Sequence, residues 1–297
     1  MPLLICLVVA VCLMVFPTFR CAVSHPVLVV KNAVPDFVRF IRLRLWRNYK
    51  TGELNIYCGY FGKGKTLSAV HKVVSVYNRY DGLTVWDDAR KKFVTQKILV
   101  LSNVNLTIPY RPLESLGQIV ALSKLLQETD TKNDTLTCMI VLLDELSVQL
   151  NSRSFKDNID AYFLNTMMCC RHYHISFYGT AQRFGHVDKM MRDVTNVVIQ
   201  CDKLWRFQRQ SVYDAWELEQ AQSPALVRPL FRTCWFVQNA DYAAYDTLAV
   251  VGNLAKKYKE GDMLTEAEVL AKQQPMTASL DSVTQPSRLL RKRRKTK

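Results

Sequence analysis

Two short stretches of this 297-residue chain carry residue types whose spacing suits chemistry on a phosphorylated ligand. The first is Gly59-Tyr-Phe-Gly62-Lys63-Gly64-Lys65-Thr66, which fits the pattern G-x-x-x-x-G-K-[ST]. Glycines at Gly59, Gly62 and Gly64 let backbone N–H groups turn inward around phosphates, and a helix starting near Lys65 presents its positive end to them. Lys63 lies inside the same loop. Lys65 is expected to reach the β- and γ-phosphates, and Thr66 to hold Mg²⁺ through its hydroxyl. The second stretch, Met139-Ile-Val-Leu-Leu143-Asp144-Glu145, is an apolar run ending in two acids. Such an ending places carboxylates at the C-terminal edge of a sheet, where open α/β folds bind ligands. Asp144 is expected in the Mg²⁺ shell and Glu145 beside an attacking water. The ligands these residues call for are ATP and Mg²⁺.

The elements that must position those side chains can be read from periodicity. Leu54 to Cys58 reads as a short strand running into the glycine loop. Thr66 to Tyr80 follows as a helix with Leu67, Val70, Val73, Val74 and Tyr77 on one face, closed by the turn Asp81-Gly82. Leu83 to Lys97 reads as a charged hairpin or insertion, Ile98 to Leu101 as a strand, and Leu113 to Glu128 as a helix before a polar loop at 130–134. The unbroken apolar run Cys138 to Leu143 suits a strand covered on both faces. A helix through Met168 and strands at Ile175 to Gly179 and Val194 to Gln200 complete the alternation. Strands alternating with helices predict an α/β P-loop NTPase fold: a twisted, mainly parallel sheet with helices on both faces. The strand at Ile98 to Asn103, lying between the two motifs, and the glutamate after Asp144 favour an enzyme that activates water over a nucleotide kinase. Trp205, Trp216 and Trp235 are expected in the core, the alternative being base-stacking platforms.

Composition bounds the partners. Forty Lys and Arg against 26 Asp and Glu give a formal charge of +14, which favours polyanions: nucleic acid or an anionic membrane face. Nine scattered cysteines, among them Cys58, Cys138, Cys169, Cys170, Cys201 and Cys234, an odd number with no C-x-x-C, read as buried, reduced thiols of a cytosolic domain and not as a disulfide framework. Leu3 to Phe16 is apolar, no Lys or Arg precedes it, and arginines follow it. The positive-inside rule then keeps the bulk of the chain in the cytoplasm behind a membrane anchor, the alternative being a signal peptide. Phe37 to Trp46 interleaves aromatics with arginines, and reads either as lipid-interface sequence or as a strand or helix packed on the main domain. Organisation follows: a hydrophobic anchor or signal-like segment at 1–20, a basic juxtamembrane segment at 21–50, an ATPase domain with a strand-rich C-terminal part at 51–260, and a polar, basic tail at 261–297 whose composition predicts disorder.

Further residues suit a motor. Gln182 follows a strand beside the acidic pair, where a neutral amide can read the γ-phosphate. Arg153, Arg171, Arg183 and Arg192 are the arginines available to reach a neighbouring subunit's nucleotide.

The order of motifs resembles the zonular-occludens-toxin-like proteins, or filamentous-phage assembly protein I, of the FtsK/HerA branch of P-loop ATPases. The resemblance runs from about Leu54 to Leu248. It rests on the phosphate loop, Leu101-Ser-Asn103-Val-Asn105-Leu106, Leu143-Asp144-Glu145, Cys170-Arg171-His172-Tyr173, Ala181-Gln182, Met191-Arg192-Asp193 and Tyr245-Asp246-Thr247. It implies Gln182 as sensor and Arg192 as a catalytic arginine. It further implies an ATPase on the cytoplasmic face of a host membrane in a virus-infected cell. Such an enzyme would act as a homo-oligomeric ring with other virion-assembly proteins and drive packaging or extrusion of DNA, single-stranded by preference. Two departures stand out: many phage members carry their membrane segment after the ATPase domain, and Ala181 replaces a frequent threonine. The Arg-rich end, Arg288 to Lys297, reads as a DNA clamp or a nuclear-localisation signal. Two other functions fit the same motifs: a membrane-anchored assembly scaffold or toxin-like protein with a nucleotide switch, and a replication helicase.

Overall fold

In a computed structural model, residues 16–146 and 161–245 are described. The chain divides into two compact units, residues 1–48 with 85–93 and residues 49–84 with 94–297.

The first unit holds helix α1 (Pro17–Ser24), helix α2 (Pro26–Arg42) and a 3-10 turn at Leu45–Arg47. Both helices start on a proline, whose missing N–H costs nothing at a helix start. Neither helix buries a residue, so Val27, Leu28 and Val30 of α2 face solvent. Phe40 packs on Trp46 with ring centroids 5.6 Å apart, and the Arg39 guanidinium pairs with Asp88. The stretch Phe37 to Trp46 is thus helical and then 3-10, not a strand. Among the described residues no helix is long and apolar enough to cross a membrane. The anchor reading at 1–20 falls almost wholly outside the described residues, as do Arg153, Asp246, Thr247 and the basic tail.

The second unit is built on a nine-stranded sheet. Its strands are β1 (Leu54–Cys58), β2 (Thr84–Asp87), β3 (Lys92–Ser102), β4 (Arg111–Pro112), β5 (Thr135–Leu143), β6 (Ile175–Ala181), β7 (Val197–Leu204), β8 (Phe207–Asp214) and β9 (Phe231–Phe236). The spatial order is β2-β3-β5-β6-β1-β7-β8-β9, with β4 beside β3; residues 85–93, which include most of β2 and the first two residues of β3, belong to the first unit. Strands β3, β5, β6, β1 and β7 pair in parallel, whereas β7, β8 and β9 pair antiparallel. The α/β class read from the sequence is the class observed.

Helices cover both faces. Helix α3 (Lys65–Tyr80) presses Ala69, Val70, Val73 and Val76 onto one face, against Tyr57, Ile140, Leu142 and Ile199. Helices α4 (Leu116–Asn133), α5 (Ala161–Met168), α6 (Lys189–Val194) and α7 (Ala215–Gln220) supply Ile119, Phe163, Met191 and Ala215 to the other, against Ile56, Val141 and Phe177. Side chains alternate across a strand, so β5 feeds both layers at once, which is why its sequence is continuously apolar. Boundaries moved most at α4. The helix starts at Leu116, where Ser115 caps it by accepting from the Gly117 N–H, and runs to Asn133 through the stretch expected to be a loop. Asp130 earns that extension: its carboxylate accepts from the Thr135 hydroxyl, the Thr137 N–H and the Thr137 hydroxyl at 2.6, 2.6 and 2.7 Å.

Candidate nucleotide site

Three neighbouring parallel strands end together, and their ends make the site. Cys58 at the end of β1 is level with Ala181 of β6, and Leu143 at the end of β5 is level with Gly179. The chain leaving β1 is therefore the glycine loop, the chain leaving β5 is Asp144-Glu145, and the chain leaving β6, which lies between them, is Gln182.

The loop turns on glycine geometry. Gly59, Gly62 and Gly64 have φ of +152°, +73° and +79°, values that L side chains rarely adopt. Gly64 also has no room for a side chain: an added Cβ would sit 2.2 Å from Gln208 Oε1. Helix α3 begins at the next residue, so its unsatisfied N–H groups open onto the loop. Lys65 Nζ donates to the Tyr60 carbonyl at 3.3 Å and lies 5.6 Å from the Phe61 ring centroid. Lys63 turns the other way, donating to Asp202 Oδ1 of β7 at 2.7 Å. Arg209 of β8 pairs with the same carboxylate. Both partners, Lys63 first, hold the Asp202 carboxyl below its ordinary range.

Asp144 is buried, at 7% exposure, and is surrounded by designated donors. The Thr66 hydroxyl donates to its Oδ1 at 2.9 Å, and the Thr180 hydroxyl donates to the same oxygen. Asn103, one residue past β3, bonds the Asp144 backbone on both sides. Glu145 is exposed, adopts φ +54°, and donates its N–H to Thr180 Oγ1 at 3.0 Å. A threonine hydroxyl and a carboxylate 2.9 Å apart are a pair of hard oxygen donors, and this set fits Mg²⁺. The Tyr245 hydroxyl is pushed up to about 12, by burial first and then by the charge of Asp144.

The structure brings Gly59, Gly62, Lys63, Gly64, Lys65 and Thr66 together with Asp144 and Glu145, and sets Gln182 at the end of the intervening strand. Arg183, the next residue, reaches the loop, with Nη2 3.5 Å from the Tyr60 hydroxyl. Arg192 is held within its own chain. Its Nη1 donates to the Gly185 and Val187 carbonyls at 2.9 and 3.0 Å, and its Nε lies 2.9 Å from Glu219. Sequence reasoning passed over three supports. Asn103 lies inside the stretch Leu101 to Leu106 and Thr180 between the strand read at Ile175 to Gly179 and Ala181-Gln182, neither with a role of its own. Gln208 gave no signal at all, being an ordinary strand residue that is fully buried because β8 runs beside the loop. Its Nε2 donates to the Lys63 carbonyl at 3.0 Å.

The tryptophans differ from expectation. Trp205 and Trp216 are 71% and 72% exposed, and Trp235 is half-buried, stacked on His71 with ring centroids 3.9 Å apart. The β7–β8 hairpin extends past the end of β1, so residues at its turn have no layer above them.

A parallel sheet, a strand–glycine loop–helix unit and an acidic strand end two strands away define a P-loop NTPase fold. Neither a family model nor a curated protein matches the chain. Among solved structures it is similar to the N-terminal domain of zonular occludens toxin from Neisseria meningitidis, at 16% identity and a TM-score of 0.42, over 66% of this chain and 100% of that one. It is also similar to the genome packaging NTPase B204 from Sulfolobus turreted icosahedral virus 2, at 11% identity and a TM-score of 0.35, over 63% and 93%. A third is EssC (ATPases 2 and 3) from Geobacillus thermodenitrificans, at 15% identity and a TM-score of 0.36, over 79% of this chain and 44% of that one. At these values no residue's role passes from those proteins to this chain.

Proposed function

We propose that this chain is a Mg²⁺-dependent ATP hydrolase that works as a nucleic-acid motor of the FtsK/HerA type, in viral DNA packaging, extrusion or virion assembly at a membrane. The observation that carries the hydrolase reading is the convergence of the Thr66 and Thr180 hydroxyls on Asp144, with Glu145 next in the chain. Backbone N–H groups of the loop and the start of α3 would cradle the phosphates, and Lys65 would swing from the Tyr60 carbonyl to the β- and γ-phosphates. Thr66 and Asp144 would hold Mg²⁺, which when bound neutralises charge on the phosphate oxygens. Glu145 would orient water against the γ-phosphorus and take its proton as the bond to the β-phosphate oxygen breaks. Gln182, at the end of β6, would report on the γ-phosphate. Arg183, the residue after Gln182, or Arg192 would serve a neighbouring copy in a ring. Support for a nucleic-acid substrate is the +14 charge and the resemblance in motif order.

The test is phosphate release by the full chain with ATP and Mg²⁺, alone and with single- or double-stranded DNA. DNA-stimulated release that disappears in Lys65→Ala is expected. A chain that binds no ATP and is indifferent to that substitution would sink the reading.

A further inference from the structure

The hairpin that carries Gln208 and Asp202 to the glycine loop ends in an exposed aromatic cluster. Trp205 at its turn, Phe207 of β8 and Phe236 of β9 pack edge to face or tilted, with ring centroids 5.5 to 6.1 Å apart. All three are exposed, as is Leu204 beside them. Rings that pack on one another at a turn and stay exposed present large apolar area to water, an arrangement monomeric surfaces rarely keep without use. Register places cations on the same face. Phe207 is level with Phe236 and Arg209 with Cys234, while Arg232 is level with Ser211, so alternate positions of β8 and β9 bring Phe207, Arg209, Phe236 and Arg232 to one side. Both arginines are exposed. The acid on this face, Asp202, is already paired with Lys63 and Arg209.

We propose that Trp205, Phe207 and Phe236, with Arg209 and Arg232, form a binding platform for single-stranded nucleic acid. Unpaired bases would stack on the rings and the arginines would meet their phosphates. Flat rings beside guanidinium groups match what an unpaired strand offers, a π-face on every base and a charge on every phosphate. In a duplex the base faces are already stacked on each other. A second copy of this chain is the poorer occupant, because its sequence carries 40 Lys and Arg against 26 Asp and Glu, a net positive charge that would oppose Arg209 and Arg232. The platform sits on the element that holds the loop, through Gln208 to the Lys63 carbonyl and Asp202 to the Lys63 ammonium. A strand bound there therefore lies one residue from groups that fix the nucleotide loop.

The proposal rests on the motor reading in taking nucleic acid as ligand, and its test separates the two. Fluorescence anisotropy of a labelled oligothymidylate of about 16 nucleotides, at the upper end of one single-strand site, is measured with the full chain. Wild type binds, and Trp205→Ala and Phe236→Ala each weaken binding roughly 10- to 100-fold, the equivalent of one or two lost stacking contacts. Trp216→Ala, which removes an equally exposed ring outside the cluster, leaves binding unchanged. Arg232→Glu lowers the salt dependence by about one counterion, and covers the case in which a ring variant does not fold. Oligothymidylate and oligouridylate arms show whether DNA or RNA is preferred. Wild-type affinity in both ring variants overturns the platform, as does equal, ring-independent binding of duplex. Loss of a wild-type oligomer in sedimentation, with oligonucleotide affinity retained, overturns it in favour of a contact between copies. Binding that depends on the rings in a chain that hydrolyses no ATP leaves the platform standing and removes the motor.

Discussion

Asn103 holds Asp144 by both of its backbone polar groups. The Asp144 N–H donates to Asn103 Oδ1 at 2.8 Å, and Asn103 Nδ2 donates to the Asp144 carbonyl at 3.1 Å. The last β3–β5 pair is Ser102 with Leu142, so this amide continues the ladder by one side chain past the point where the strands part. It thereby fixes where the carboxylate points. Asn103→Ala should lower the turnover number for ATP roughly tenfold while costing about 1–2 kcal/mol in urea unfolding, the worth of one or two partly buried hydrogen bonds. An unchanged turnover number with the stability loss intact would show that the amide serves the fold alone.

Glu145 sits at φ +54°, a region that costs a non-glycine residue about 1 kcal/mol or more. The Thr180 hydroxyl accepts its N–H at 3.0 Å and so helps hold that turn. Glu145→Gln keeps the shape and hydrogen-bonding reach of the side chain and removes the base. ATP binding measured by a fluorescent analogue should stay within about twofold, and steady-state phosphate release should fall roughly 10²- to 10⁴-fold. Equal turnover would take Glu145 out of the role of base.

The phosphate loop and the acidic strand end were legible because each is a local pattern: residue type, spacing, and a strand or helix on one side. Helix α3 and the central strands were legible for the same reason, since burial on one or both faces leaves a periodic trace. Gln208 was not legible. It meets the loop only because β8 returns antiparallel along β7, and no spacing in the sequence encodes a contact 145 residues away. The tryptophans failed differently. A large apolar residue is usually buried, but burial needs a layer above, and the turn at Trp205 projects beyond the helices that would supply one.

Gly64 is where conformation and close approach coincide. Its φ is +79°, and a Cβ would meet Gln208 Oε1 at 2.2 Å and Cδ at 2.9 Å. Gly64→Ala should abolish measurable ATP binding in calorimetry and lower the melting temperature. Adding Gln208→Ala removes the collision and leaves the backbone strain. The double variant should therefore recover part of the melting temperature and little of the nucleotide affinity. Full recovery of affinity would mean that the collision alone, and not the left-handed turn, makes glycine necessary.

Burial pushes the thiols of Cys58 and Cys138 from 9.0 up to about 12, and that of Cys201 up to about 11. Cys21, Cys169 and Cys234 are exposed, against the expectation that the thiols are buried. Because thiolate is the reacting species, iodoacetamide at pH 8 should label the exposed three in the folded chain and reach the buried three only after unfolding. Stability follows with a definite sign. A folded-state value above the unfolded one means that the neutral thiols stabilise the fold fully below about pH 8.5. That contribution is lost as pH rises towards 11 to 12, by up to about 1.4 kcal/mol per pH unit for each thiol. The urea midpoint should thus fall between pH 8.5 and pH 11, and the fall should shrink in a Cys138→Ala variant. Native-state labelling of Cys58 at the rate of Cys234 would contradict the burial of β1 and, with it, the placement of the strand that delivers the glycine loop.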